Sequence, residues 1–376
     1  MDEKKFLTKK FREYYYQNKQ VYTEQLNKRE IGFIPFEGTM IRHRKVEDLL
    51  DLQNFLMDNI PRHLYHSVAY YKYPDKRSMQ EKEWNGAEYV FDLDADHIPG
   101  ADQMSYEQIL REVKDHTLRL LNKFLIGYLD LDPESLNIYF SGARGYHIHI
   151  KSDKIYQMNS DQRREISNLV RGEGISIKSF LGIASKTPIT GKGWISDINS
   201  ELIDTLNKIA QGEKTEYVDR VGEDKIKQLL DRTISAKDKR KYRQIYMEQG
   251  IEKYSNSNIK MIENLLEKII SEYVKKNSVE IDEPVSTDIH RLIRFPYSLH
   301  GKTGLIVRKI DIDSLKTFEP LSEAIPNIFG DDLIGVRMKK PFEINFNGIH
   351  YKLEEEDTVP SNLAIFLSLS GRANIY

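Results

Sequence analysis

Tyr89-Val-Phe-Asp92-Leu-Asp94-Ala-Asp96 is the stretch from which the fold of this chain can be read. Phe91, Leu93 and Ala95 alternate with Asp92 and Asp94, the period-two pattern of a strand with one apolar and one acidic face. On that face Asp92 and Asp94 lie about 6–7 Å apart at Cα, two residues of rise. Carboxylates that close repel each other, and a divalent cation between them relieves the repulsion. A solvated strand face at a sheet edge is the ordinary alternative. Against it, Tyr89-Val-Phe and Leu93 mark a buried strand, where free carboxylates are costly. Asp96 shares the parity but falls beyond the expected strand end and is not counted as a ligand.

Working outward, 136–140 and 146–150 read as two strands around Ser141-Gly-Ala-Arg144-Gly145. Glycines let the backbone of such a turn approach a ligand closely. Its successive amides can hold phosphate oxygens, and Arg144 adds charge-assisted bonds. A plain hairpin turn with an exposed arginine is the alternative. His147 and His149 share a strand face; His147 is read as a phosphate donor and His149 as structural.

A third segment follows much later, Arg291-Leu-Ile-Arg294-Phe-Pro-Tyr-Ser-Leu-His300-Gly-Lys302-Thr. Ser286-Thr-Asp288 signals a helix start and Pro296 a stop, so a short helix is expected, with Arg291 and Arg294 on one side at i and i+3. His300 and Lys302 fall in the loop beyond. A solvated basic helix would explain this segment alone. Gly301-Lys-Thr303 is not a nucleotide P-loop, because Pro296 stands where that motif needs its first glycine.

The remaining pattern predicts a mixed α/β chain. A charged helix is expected over 1–28, strands over 30–45, a helix over 46–59 and strand character over 64–71. A helix follows over 109–125. From 155 to 278 the composition turns helical and charged, which suggests an inserted, mainly helical subdomain (155–278) in a core made of 1–154 and 279–376. The basic run Lys237 to Arg243 lies in it and reads as a solvated helix face before a nucleic-acid contact. Asn347-Gly348 between 342–346 and 349–353 is a hairpin signal, and 361–369 reads as a helix.

The 376 residues are 39% hydrophobic and 30% charged, enough for a sizeable core. A formal net charge of −2 argues against a uniformly basic coat, so any nucleic-acid contact must use local patches such as Arg42, Arg44 and Lys45. The sequence has no cysteine, which excludes disulfides and thiolate zinc sites. No signal peptide or membrane span is read, and a soluble, cytoplasmic protein is expected.

At these residues the chain resembles the small catalytic subunit of archaeal and eukaryotic DNA primases, the archaeal branch most. Arg29-Glu30, Arg42-His-Arg44, Tyr89 to Asp94, Ser141 to His147 and Arg291 to Gly304 carry the resemblance in order and spacing. It implies a primase-type catalytic core with a helical insertion. It also implies that Asp92, Asp94 and Asp282, the last 18 residues before His300, hold two Mg²⁺ or Mn²⁺ ions. Ser141, Arg144, His147, Arg294 and His300 match positions around the triphosphate, with Arg291 and Lys302 beside them. His290 falls where eukaryotic relatives carry an asparagine.

The family turn often has a second arginine where this chain has Ala143. Many relatives carry a cysteine-rich zinc site where the interval from Asp96 to Ser135 has none, so no cysteine-ligated zinc is expected. The resemblance implies primer synthesis from nucleoside triphosphates on single-stranded DNA, a large-subunit partner and a replicative DNA polymerase downstream. A primase-like polymerase of end-joining repair, or a catalytically silent nucleic-acid-binding subunit, are the other readings. The three acids argue against the last.

Overall fold

The acidic stretch folds as a strand at the edge of a sheet. In the computed structural model, which describes residues 2–177, 192–233 and 256–376, ten strands frame this region. They are β1 (Ile31–Ile34), β2 (Ile41–Arg44), β3 (His63–Ser67), β4 (Ala69–Tyr71), β5 (Trp84–Ala87), β6 (Tyr89–Leu93), β7 (Leu136–Phe140), β8 (Tyr146–Ile150), β9 (Leu292–Arg294) and β10 (Arg308–Ile310). One antiparallel sheet has the order β2-β1-β3-β9 and the other β10-β7-β8-β6. The rings of His66 on β3 and His149 on β8 are 6.1 Å apart, where the two sheets meet.

Between the sheets lies a buried polar network. The Arg29 guanidinium reaches Glu88 at 2.5 Å and the Ser67 carbonyl at 2.7 Å, and His149 Nδ1 lies 2.8 Å from Glu88. Glu88 is a paired buried anion, so its charge is tolerated. His149 is thereby tied into the core, in keeping with its structural reading.

The expected N-terminal helix is shorter than its charge pattern suggests. It spans Glu3–Gln17, capped by Asp2, and buries Leu7, Phe11, Tyr14 and Tyr15 at i, i+4, i+7 and i+8 spacing. Asn18 ends it in extended geometry, and Leu26–Lys28 form a separate single turn. The hairpin of Phe342–Phe346 and Ile349–Leu353 forms as expected, with Asn347 and Gly348 both at positive φ. So does the helix Ser361–Leu369.

The described residues fall into two compact units. The first takes in the described residues up to Leu118, Leu131–Ser167 and Glu280–Tyr376; the second takes in Arg119–Asp130 and the described residues of Asn168–Val279. Residues 155–167, which composition assigns to the insertion, thus group with the first unit. Arg163 and Ser167 are the reason: the Tyr89 hydroxyl on β6 bonds the Arg163 carbonyl at 3.0 Å and the Ser167 hydroxyl at 2.8 Å.

In the second unit the helices Trp194–Gln211, Arg220–Thr233 and Asn256–Asn277 accompany the wide helical turns Leu120–Tyr128. There Lys123 pairs with Asp197 at 3.0 Å and lies over the Trp194 and Tyr273 rings. The run Lys237 to Arg243 lies outside the described residues. No helix among the described residues is long and apolar enough to cross a membrane.

Candidate active site

Asp92 lies directly opposite His147 in the β6–β8 register, and His147 Nε2 is 3.4 Å from its carboxylate. Burial alone would raise the Asp92 carboxyl. His147, with Arg291 and Arg294, outweighs burial and holds it below the usual carboxylate range. Asp94 follows the strand and behaves oppositely. Burial and the neighbouring Asp92 and Asp96 push it up, against the pull of Arg144.

The third acid arrives through the backbone. Because β6 is an edge strand, its Asp92 carbonyl is free to accept a bond, and the Asp282 N–H donates to it at 2.9 Å. Asp282 then caps the helix Glu283–Thr287, with Pro284 at a position where a helix needs no N–H. Among the described residues no three His, Asp or Glu side chains are already gathered closely enough to enclose an ion. The donor set nonetheless fits one. It is all carboxylate oxygen, as Mg²⁺ and Mn²⁺ favour, and the mutual repulsion at Asp94 is what a cation relieves.

That capping signal also overturns the helix expected after Ser286. The helix starts four residues earlier than Ser286-Thr-Asp288 suggests, and Leu292–Arg294 form β9 against β3. Arg291 and Arg294 therefore do not share a helix face. Arg291 precedes the strand and is exposed. Arg294 stands opposite Tyr65, with its guanidinium 4.7 Å from that ring and Nη1 bonded to His63 Nδ1. Both still act on the Asp92 charge.

The turn between β7 and β8 is fitted to its neighbours by two glycines. At Gly142, φ is +87°, and a Cβ there would sit 2.6 Å from the His300 Cβ. A Cβ at Gly145 would be 2.5 Å from the Leu93 carbonyl. No other residue permits both approaches. Thr303 Oγ1 donates to the Gly142 carbonyl, and buried Ser141 donates its N–H to the Gly145 carbonyl at 2.9 Å. The Tyr106 hydroxyl reaches the Ala143 carbonyl at 2.7 Å. The turn thereby packs against His300, and Arg294 acts on His300 as well as on Asp92 and Asp94.

His300 is buried. Burial, then the nearby Arg294 and Lys302 charges, hold its imidazole well below the usual histidine range. Lys302 itself is exposed, with its N–H on His300 Nδ1 at 3.3 Å. Arg42 is bound to Glu30 at 2.9 Å and Lys45 to Glu47 at 2.6 Å, so neither is an unengaged cation. His290 Nδ1 meets the Tyr71 hydroxyl at 3.0 Å.

Several members of this site carried no sequence signal. His63 Nδ1 accepts from Arg294 and, at 3.3 Å, from the Gly301 N–H. Burial and the cations Arg294, Arg62 and Lys302 push its pKa down to about 3, so it is a neutral acceptor. Tyr65 supports Arg294, and Asp96 binds Arg144. A period-two reading of 63–67 would have put His63 and Tyr65 on one face, but not opposite Arg294.

A family model described as DNA primase small subunit matches residues 91–312, the span holding Asp92, Asp94, Asp282, Arg144, Arg291, Arg294 and Lys302. The proteins named DNA primase small subunit PriS from Picrophilus torridus and Thermoplasma volcanium are 41% and 39% identical to it. Those alignments cover 94% and 93% of this chain and 94% and 91% of the relatives. The one from Methanothrix thermoacetophila is 32% identical over 98% of both. The chain belongs to the DNA primase small-subunit family.

Proposed function

We propose that this chain is the catalytic subunit of a DNA primase, joining nucleoside triphosphates into short RNA primers on single-stranded DNA. The observation that carries the reading is the bond from the Asp282 N–H to the Asp92 carbonyl. It ties the Asp282 backbone to the strand of Asp92 and Asp94, whose charges act on Arg294.

Asp92, Asp94 and Asp282 would hold two Mg²⁺ or Mn²⁺ ions, which when bound activate a 3′-hydroxyl and stabilise the leaving pyrophosphate. The chain's own contribution is placement and charge. Arg294, set by His63 and Tyr65, and Arg144 on its turn neutralise phosphate oxygens. The amides of 141–145 and the Ser141 hydroxyl line the turn. His147 offers Nδ1, which is buried and has no hydrogen-bond partner among the described residues. Arg291 and Lys302 add exposed positive charge at the rim.

The family reading brings a large primase subunit as partner, a replicative DNA polymerase that extends the primer, and work in the cytoplasm. The test is primer synthesis on bare single-stranded DNA with labelled ATP, the products sized on a gel. Short ribonucleotide products that disappear with Asp282→Asn support the proposal. Products unaffected by that change would remove Asp282 from the site.

A further inference from the structure

Asp96 is left unused by the reading above, yet the structure gives it a specific neighbour. The single turn Ala95–His97 follows β6, with Asp94 as its cap and the Asp96 N–H 3.4 Å from Asp94 Oδ1. This turn brings Asp96 Oδ1 to 2.6 Å from Arg144 Nη2, while Asp94 Oδ1 is 3.9 Å from the same nitrogen. Arg144 is therefore held by the acid that is not in the metal set.

We propose that Asp96 is a positioning residue, a latch that holds Arg144 against the end of the acid strand and competes with nucleotide phosphate for its guanidinium. The proposal rests on the reading of Arg144 as a phosphate contact. A guanidinium presents its donors in a fixed fork, so turning Nη2 toward Asp96 fixes the direction of the fork and occupies one of its donors. A triphosphate must displace Asp96 before it gains the whole Arg144 fork. The apparent nucleotide affinity is then reduced by the fraction of the time Arg144 stays latched.

The exchange is feasible because the pair is exposed, with 71% of the Asp96 side chain and 37% of that of Arg144 in solvent. Exposed pairs are weak, and a multiply charged phosphate outcompetes a single carboxylate. Among the described residues Arg294 has no carboxylate ion pair of this kind. Its partners His63 and Tyr65 are a neutral acceptor and a ring, and both leave its charge available.

The test is a nucleotide titration of primer synthesis by the full chain with its large subunit. It compares wild type, Asp96→Asn, Arg144→Ala and the double variant, each also titrated with Mg²⁺. Asp96→Asn is expected to lower the nucleotide KM about two- to fivefold, the worth of an exposed ion pair, with a smaller change in kcat. In the Arg144→Ala background the same change should do nothing. The latch is overturned if Arg144→Ala raises KM while Asp96→Asn leaves it unchanged or raises it. It is equally overturned if the Asp96 effect survives without Arg144. A higher Mg²⁺ requirement in both Asp96 variants would make Asp96 a metal ligand instead. If Arg144→Ala leaves KM unaltered, Arg144 is no phosphate contact, and the underlying reading fails separately.

Discussion

The two arginines beside the acids are built in opposite ways. Arg294 is fixed at the end of β9, opposite Tyr65 and bonded to His63, with burial lowering its guanidinium against the pull of Tyr65, Asp92 and Asp94. Arg144 stands on a turn, half-exposed and held by Asp96. The first is positioned before any ligand arrives and the second by exchange. Preorganised charge costs no reorganisation at the moment of reaction, while exchangeable charge can respond to what binds.

The largest expected effect concerns the acids that both arginines serve. Asp92→Asn, Asp94→Asn or Asp282→Asn should each remove most primer synthesis and move Tm by no more than about 2–4 °C. Asparagine caps a helix as well as aspartate does, so Asp282→Asn in particular should fold. Gel assays beside thermal melts check this; an active Asp92→Asn enzyme would show that the metal is held elsewhere.

The arginines themselves come next. A charge-assisted phosphate contact is worth about 1.5–3 kcal/mol, so Arg144→Ala and Arg294→Ala should each raise the nucleotide KM roughly tenfold or more. Only Arg294→Ala should also lower stability, since it strips buried partners. Equal loss of stability in both variants would erase the distinction between fixed and exchangeable charge.

A third effect follows from the neutral histidines that fix one side. His63 is depressed to about 3, and His300 and His66 lie well below the ordinary value. For such groups the unfolded chain takes up protons first, so the stability they contribute is present above about pH 6.5 and is lost as pH falls toward 3. His63 removes up to about 1.4 kcal/mol per pH unit in that window, and the other two act in the same direction. Denaturant melts at pH 7.5 and 5 should show the loss, and His63→Gln should flatten it. A pH-independent midpoint would mean that these rings are charged in the fold.

The smallest expected effect is none at all. The interval without cysteine is held by the helix Tyr106–Arg119, whose Ile109, Leu110 and Val113 are buried, and by Lys114 on the Phe318 carbonyl at 3.0 Å. The purified chain should carry no stoichiometric zinc, and a chelator should stop synthesis without unfolding the protein. About one zinc per chain after dialysis, with unfolding on its removal, would demand a histidine and carboxylate site.

What could be read in the sequence was local. Asp92 and Asp94 announced themselves by alternation, and the 141–145 turn by its glycines. Arg291 and Arg294 were set on a helix because Ser286-Thr-Asp288 resembles a cap, while the stronger cap, Asp282 before Pro284, lay just upstream. His63 and Tyr65 could not be found, because pairing β3 with β9 joins residues 231 positions apart, as in the His63–Arg294 bond. Register across such distances is decided by the whole core and leaves no pattern within a strand.

The strand that carries the acids also fastens the chain on both sides of a long excursion. Tyr89 holds Arg163 and Ser167 where the chain departs, and Asp92 receives Asp282 where it returns. Closing a longer loop adds only a logarithmic entropy term. The intervening segment can therefore lengthen, shorten or change composition over evolutionary time while the three carboxylates keep their places, because both ends are clasped to one strand, three residues apart.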